Sequence, residues 1–146
     1  MGSSGRWVAG IACLALLAPV VAGLFPTSVD GYRDAVVTAA RDAASATSTA
    51  AALVASPTLP TYTDVVLADA REAVGTALAE VAELDVPDGT ARGLRDEVLP
   101  LLTQAVAAVG DATAAAGGDD LATLRDQAPP LAQVGGRLRG FVEGHR

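Results

Sequence analysis

Between the prolines and glycines of residues 27–146, apolar side chains recur every three or four positions and never alternate. That spacing returns a side chain to one face of an α-helix, whereas a strand needs a period of two. The clearest stretch, about 63–85, steps through Leu67, Ala70, Val74, Ala77, Val81 and Leu84 in a heptad seam, with Asp69, Glu72, Thr76, Glu80 and Glu83 opposite. Thr61 or Thr63 is placed to cap its start, and Asp64 complements the helix dipole there.

Three more stretches follow the same rule. The first, about 28–55, aligns Val29, Tyr32, Val36, Ala40, Ala43, Thr47, Ala50 and Val54 against Asp34, Thr38, Arg41, Ser45 and Ser48. It stops at Ser56-Pro57 and Pro60. After a Val86-Pro87-Asp88-Gly89 turn, the third, about 88–116, aligns Leu94, Val98, Leu101, Ala105, Val109, Ala112 and Ala116, with a kink expected at Pro100. Gly117-Gly118 ends it, and Asp119 is expected to cap the next. The fourth, about 120–143, holds Leu121, Leu124, Ala128, Leu131, Val134, Leu138 and Phe141. Pro129-Pro130 interrupts it without losing register, so one bent helix is expected. Four amphipathic helices on short turns predict an all-α fold: an antiparallel, up-down four-helix bundle with Pro-kinked third and fourth helices. Its core is thin. Residues 27–146 supply 13 Leu, 14 Val and three aromatics, so alanine fills the other seam positions and the bundle is marginal or leans on a partner.

The chain before the bundle has a different character. Trp7 to Phe25 is a run of nineteen uncharged residues, about 28 Å as a helix and close to the thickness of bilayer hydrocarbon. Arg6 precedes it, aromatic residues flank it, and Asp30, Arg33 and Asp34 follow with a net negative charge. Residues 1–6 are therefore expected in the cytoplasm, 7–25 as a transmembrane anchor or signal segment, and 26–146 as an extracytoplasmic helical domain. The location is the cytoplasmic membrane, single-pass, with the N-terminus in and the C-terminus out. Cleavage near Ala22-Gly23, which would secrete the domain, is the alternative. Cys13 reads as a small apolar residue of the run rather than a lipid attachment point, and Arg6 breaks the myristoylation pattern.

Composition narrows the chemistry. A net charge of −7 without a single lysine argues against nucleic acid as a partner. One cysteine and one histidine leave no disulfide framework and no zinc or di-iron ligand set, so no metal, cofactor or catalytic residue is expected. His145 lies next to the last residue, where fraying would leave it without an orienting neighbour, and Ser45, Ser48 and Ser56 have no evident base. Gly117-Gly118-Asp119-Asp120 reads as a helix break, since its acids would repel phosphate. Asp69, Glu72, Glu80 and Glu83 form the candidate acidic interaction face. Glu80 and Glu83, at i and i+3, could hold a cation weakly, but a solvated helix face is the simpler reading. Arg137, Arg139, His145 and Arg146 against Glu143 read as cations complementing a helix C-terminus.

Alanine, glycine, arginine and proline fill 65 positions while Lys and Asn are missing, which points to GC-rich coding in a bacterial genome. Thr27, Thr38 and Thr49, spaced by eleven, resemble the threonine ladder of alanine-rich antifreeze helices, although ordinary helix packing explains the stripe. The N-terminal run, the Leu84-Asp85-Val86-Pro87 turn and the Leu99-Pro100-Leu101-Leu102 segment resemble a broad group of uncharacterised actinobacterial envelope proteins. That resemblance implies a membrane-directed segment and an Ala/Arg-rich helical domain, with no functional residues. The expected function is non-enzymatic: a membrane-anchored interaction or accessory subunit with an unidentified protein partner. A small-ligand-binding or sensory bundle, with a pocket opened at Pro100 and Pro129-Pro130, is the alternative.

Overall fold

The computed structural model describes residues 28–57, 59–118 and 120–146. Among the described residues there is no strand. The chain forms four long helices and one short one: α1 (Val29–Ala55), α2 (Pro60–Glu83), α3 (Gly89–Ala116), α4 (Leu121–Arg125) and α5 (Ala128–Gly144). The apolar run Trp7–Phe25, with Cys13 and Ala22-Gly23, lies outside the described residues, as do Thr27 and Asp119.

Side chains at the helix starts satisfy otherwise orphaned backbone donors. The Gly31 N–H donates to Ser28 Oγ at 3.0 Å, and the Ala91 N–H to Asp88 Oδ1 at 2.8 Å. Asp120 caps α4: it accepts the Ala122 N–H at 2.9 Å and the Thr123 hydroxyl at 2.6 Å. Nor does α2 begin at a capping threonine. Pro60 opens it, Leu59 precedes it without a side-chain cap, and Thr63 is buried with its hydroxyl donating to the Leu59 carbonyl at 3.1 Å. Proline suits a first helical turn because its missing N–H would have had no partner there. Pro60 therefore starts a helix instead of stopping one.

The same reasoning divides the expected fourth helix. Pro129 and Pro130 sit in the first turn of α5, and α4 ends at Arg125. Asp126 (φ −64°, ψ −16°) and Gln127 (φ −80°, ψ −14°) stay near helical dihedrals, which is why the apolar register runs across the break. Pro100 is accommodated inside α3, on its exposed side.

α1 packs against every other helix, most extensively against α5, then α2 and α3. Two cross-helix contacts fix which ends meet. Arg33 donates from Nε and Nη2 to the His145 carbonyl at 2.9 and 2.6 Å, joining the start of α1 to the end of α5. Arg95 donates to the Ala82 carbonyl at 3.0 Å, joining the end of α2 to the start of α3.

The core follows the seams in most places. Leu67, Ala70, Val74, Ala77 and Val81 of α2 are all buried, and so are Leu131, Val134, Leu138 and Phe141 of α5. Several positions differ, Leu84, Leu94, Ala116 and Ala128 being only half-buried. Val29 and Leu121 are exposed, and Leu102 rather than Leu101 is fully buried. From Val98, a step of three or of four reaches an apolar residue, so periodicity alone cannot choose between them.

Among the described residues, α3 is the one helix long and apolar enough to cross a membrane, with a mean hydropathy of 1.4 over its best window. It is internal, not N-terminal. Its buried stripe, Ala91, Val98, Leu102, Ala105, Ala108, Val109 and Ala112, is taken up by the neighbouring helices, as a bundle uses such a helix.

The α1–α5 contact is close because glycine makes it so. A Cβ at Gly135 would lie 2.8 Å from Ser48 Oγ, and the Ala44 carbonyl is also within van der Waals range. Gly135→Val is therefore expected to destabilise the fold by about 1–3 kcal/mol through overpacking, read by urea unfolding followed by circular dichroism. An unchanged midpoint would show that the two helices are not held at this separation.

Candidate functional site

The acidic face of α2 is present but not uniform. Asp69, Glu72 and Glu83 are exposed, whereas Glu80 is half-buried. Glu72 borders a cleft of about 820 Å³ between α2 and α3, together with Asp64, Arg71, Gly75, Thr76 and Thr113. Glu80 turns toward α1. Burial, and after it the negative charge of Asp42, raises its carboxyl above the usual carboxylate range. Glu72 and Glu80 thus border different neighbours from the two edges of one acidic face, and among the described residues no three Asp, Glu, His or Cys gather as a metal would require.

At the end of the bundle where α1 passes into α2, apolar surface is left open. Pro57, Leu59, Pro60, Leu121 and Leu124 line a cleft of about 400 Å³, with Asp64 and Asp120 on its walls. Leu59 is 65% exposed and Leu121 55%; on the first turns of α2, outside this cleft, Tyr62 is 56% and Val65 52% exposed. Asp120 is held below the usual aspartate range by the Thr123 hydroxyl and then by backbone N–H donors, so its charge persists on this rim. Tyr62 and Val65 fall outside the buried stripe of α2, which accounts for their exposure.

The C-terminal cations are more engaged than dipole complementation requires. Arg137 donates to Gln104 Oε1 at 3.0 Å and Arg139 to Ser48 Oγ at 3.0 Å. His145 is tied down instead of frayed. Its Nε2 lies 3.1 Å from Glu97 Oε2, its ring packs on Phe141 with centroids 4.5 Å apart, and Arg33 holds its carbonyl. Arg33 and Glu97 come from α1 and α3, 112 and 48 residues away, a distance that sequence spacing does not bridge.

Two more clefts lie along the α1–α5 face. One, of about 410 Å³, brings together Arg41, Arg139 and Arg146 with Ser45, Ser48 and Thr49. The other, of about 440 Å³, is lined by Ala51, Ala52, Ala55, Ala128, Pro129 and Ala132, and shares Ser48 and Arg139 with the first. Pro129 thus borders a cleft, while Pro100 lines none of these. Thr38 and Thr49 are both exposed on α1. At Gly117-Gly118 the chain turns out of α3, the Gly117 N–H donating to the Thr113 carbonyl at 3.2 Å, in keeping with a helix break. Compared with known proteins, the chain matches no family model, no curated relative and no solved structure.

The raised carboxyl of Glu80 has a thermodynamic sign. The folded chain binds that proton more tightly than the unfolded chain, so the associated stability is complete below the ordinary carboxylate pKa and is lost as pH rises through the folded value. Glu80→Gln is expected to melt slightly above the wild type at pH 7, by about 1–2 °C, with the gap closing below about pH 4. Melting curves across that range test this; a gap that widens on acidification would contradict it.

Proposed function

We propose that the protein is a non-enzymatic, membrane-anchored helical bundle that works outside the cytoplasmic membrane as an interaction or accessory subunit. In this reading residues 1–6 stay in the cytoplasm, 7–25 cross the membrane or serve as a signal segment, and 26–146 form an up-down bundle beyond it. The Trp7–Phe25 run preceded by Arg6 supports the anchor. The meeting of the α1 start with the α5 end, and of the α2 end with the α3 start, supports alternating helix directions.

One observation favours interaction most. Of the five large apolar side chains exposed among the described residues, four, Leu59, Tyr62, Val65 and Leu121, belong to the starts of α2 and α4, which share one end of the bundle. Such clusters, rimmed by polar residues, mark contact surfaces. The rim here is acidic, through Asp64 and Asp120, and the acids of α2 extend it toward Asp69 and Glu72. A partner with an apolar anchor flanked by basic side chains fits this surface, opposite charge guiding its approach.

A second reading, a small-ligand-binding bundle, is favoured by the cleft at Pro129 and its arginine-lined neighbour.

Detergent-solubilised membranes test the leading reading. The full chain is expected in the membrane fraction with a co-purifying protein that is lost when Tyr62→Asp and Val65→Asp are combined, while helical circular dichroism is unchanged. A monodisperse monomer without companions, or a partner retained by the double variant, would overturn it.

A further inference from the structure

The arginines of the α1–α5 face lack the partners that their setting offers. The chain has seventeen acidic residues, yet among the described residues no arginine side chain lies within ion-pair distance of a carboxylate, and the one contact of that length is His145 with Glu97. Arg41 of α1, Arg139 of α5 and Arg146, two residues past the end of α5, line one cleft, and Glu143 is the one acidic side chain on its wall. Asp42, although next to Arg41, faces the other way, since its charge is felt by Glu80 of α2. Arg139 is steadied by donating to Ser48 Oγ, while Arg41 and Arg146 form no side-chain hydrogen bond to any described residue. Ser45, Ser48 and Thr49 add hydroxyl donors between them.

Shared walls make the two clefts one groove. From Arg41 to Ala55 it runs fourteen residues along α1, about 21 Å at 1.5 Å per residue. One end is cationic and the other is an alanine trough. The cleft gathers three guanidiniums against one acidic side chain, Glu143, a cationic excess that suits the two or three charged oxygens of a phosphomonoester at about −1.5 to −2. Guanidinium forks bond phosphate oxygens in pairs, and methylenes laid on Ala51, Ala55 and Ala132 leave water. We propose that the α1–α5 groove binds one molecule of a phosphomonoester bearing a short apolar chain, its phosphate on Arg41, Arg139 and Arg146 and its chain along the alanines. This site is separate from the apolar cluster at the bundle's end and does not depend on it.

Hexyl phosphate, inorganic phosphate and hexanol are the probes, titrated into the full chain in nonionic detergent micelles and followed by amide resonances. Hexyl phosphate should shift Ser45, Ser48, Thr49, Ala52 and Ala132 saturably. It should bind at least about tenfold more tightly than inorganic phosphate, as burial of two methylenes would give. Arg41→Ala should weaken it roughly tenfold, the usual loss for a hydrogen bond to a charged group. Glu143→Gln should tighten it by removing a like charge, and Ala132→Leu, which fills the trough, should bring hexyl phosphate down to the affinity of inorganic phosphate. Absence of a saturable shift, or hexanol binding as tightly at the same residues, would overturn the proposal. Binding that begins only where hexyl phosphate aggregates, or an affinity indifferent to both Arg41→Ala and Glu143→Gln, would do the same.

Discussion

Side-chain size on α1 governs the architecture. Among the described residues twelve of the 28 buried apolar side chains are alanine, and six of those twelve, Ala39, Ala40, Ala43, Ala44, Ala50 and Ala51, belong to this one helix. Small side chains let neighbouring backbones approach closely, so the helix can serve as a common wall for α2, α3, α4 and α5. Alanine also has the highest helix propensity, which supports a stripe that offers little area for burial. The polar residue within the stripe is satisfied locally: Thr47, fully buried, returns its hydroxyl to the Ala43 carbonyl at 2.7 Å. Tyr32 is the exception. It is fully buried with no partner for its hydroxyl, and that burial raises its phenol above the usual range, with Arg95 opposing the shift.

The open end lies where α1 passes into α2 and α3 into α4. The last turn of α1 is level with the start of α5, since Ala52 and Ala55 share a cleft with Ala128 and Pro129. Beyond it Leu121 of the short α4 and Leu59, just before α2, stay exposed on the walls of one cleft, and this is the feature on which the interaction reading rests. At the opposite end sit the buried aromatic side chains: Tyr32 and Phe141 fill the core, and Arg33, Glu97 and His145 lie around them. Charge is sorted crosswise as well, with acids along α2 and unpaired arginines between α1 and α5.

Much of the fold was legible because apolar period and breakers act locally. The α2 seam from Leu67 to Val81 is buried position for position, and α3 and α1 begin and end within a residue or so of where Ser28, Pro57, Asp88 and Gly117 place them. What was not legible depends on neighbours. The buried band of α1 also includes Val37, Ala39, Ala44 and Ala51, because the helix touches partners on several sides, and a single seam cannot report its own width. Proline was read as punctuation, yet Pro60 and Pro129 open helices, a role that hangs on which backbone donors need partners. The acidic residues of α2 were visible in sequence, but not that Glu80 would lean on Asp42. The arginine groove was invisible, since Arg41 and Arg139 meet only when α1 and α5 pack.

Native-state hydrogen exchange on the full chain measures the α1-centred organisation most directly, because protection reports the free energy of opening each segment. If α1 is the wall on which the other helices depend, amides from Val36 to Val54 should exchange slowest and only through global unfolding, while α4 and the first turn of α2 exchange far sooner. Exchange from the middle of α1 at the rates of α4 would contradict the account.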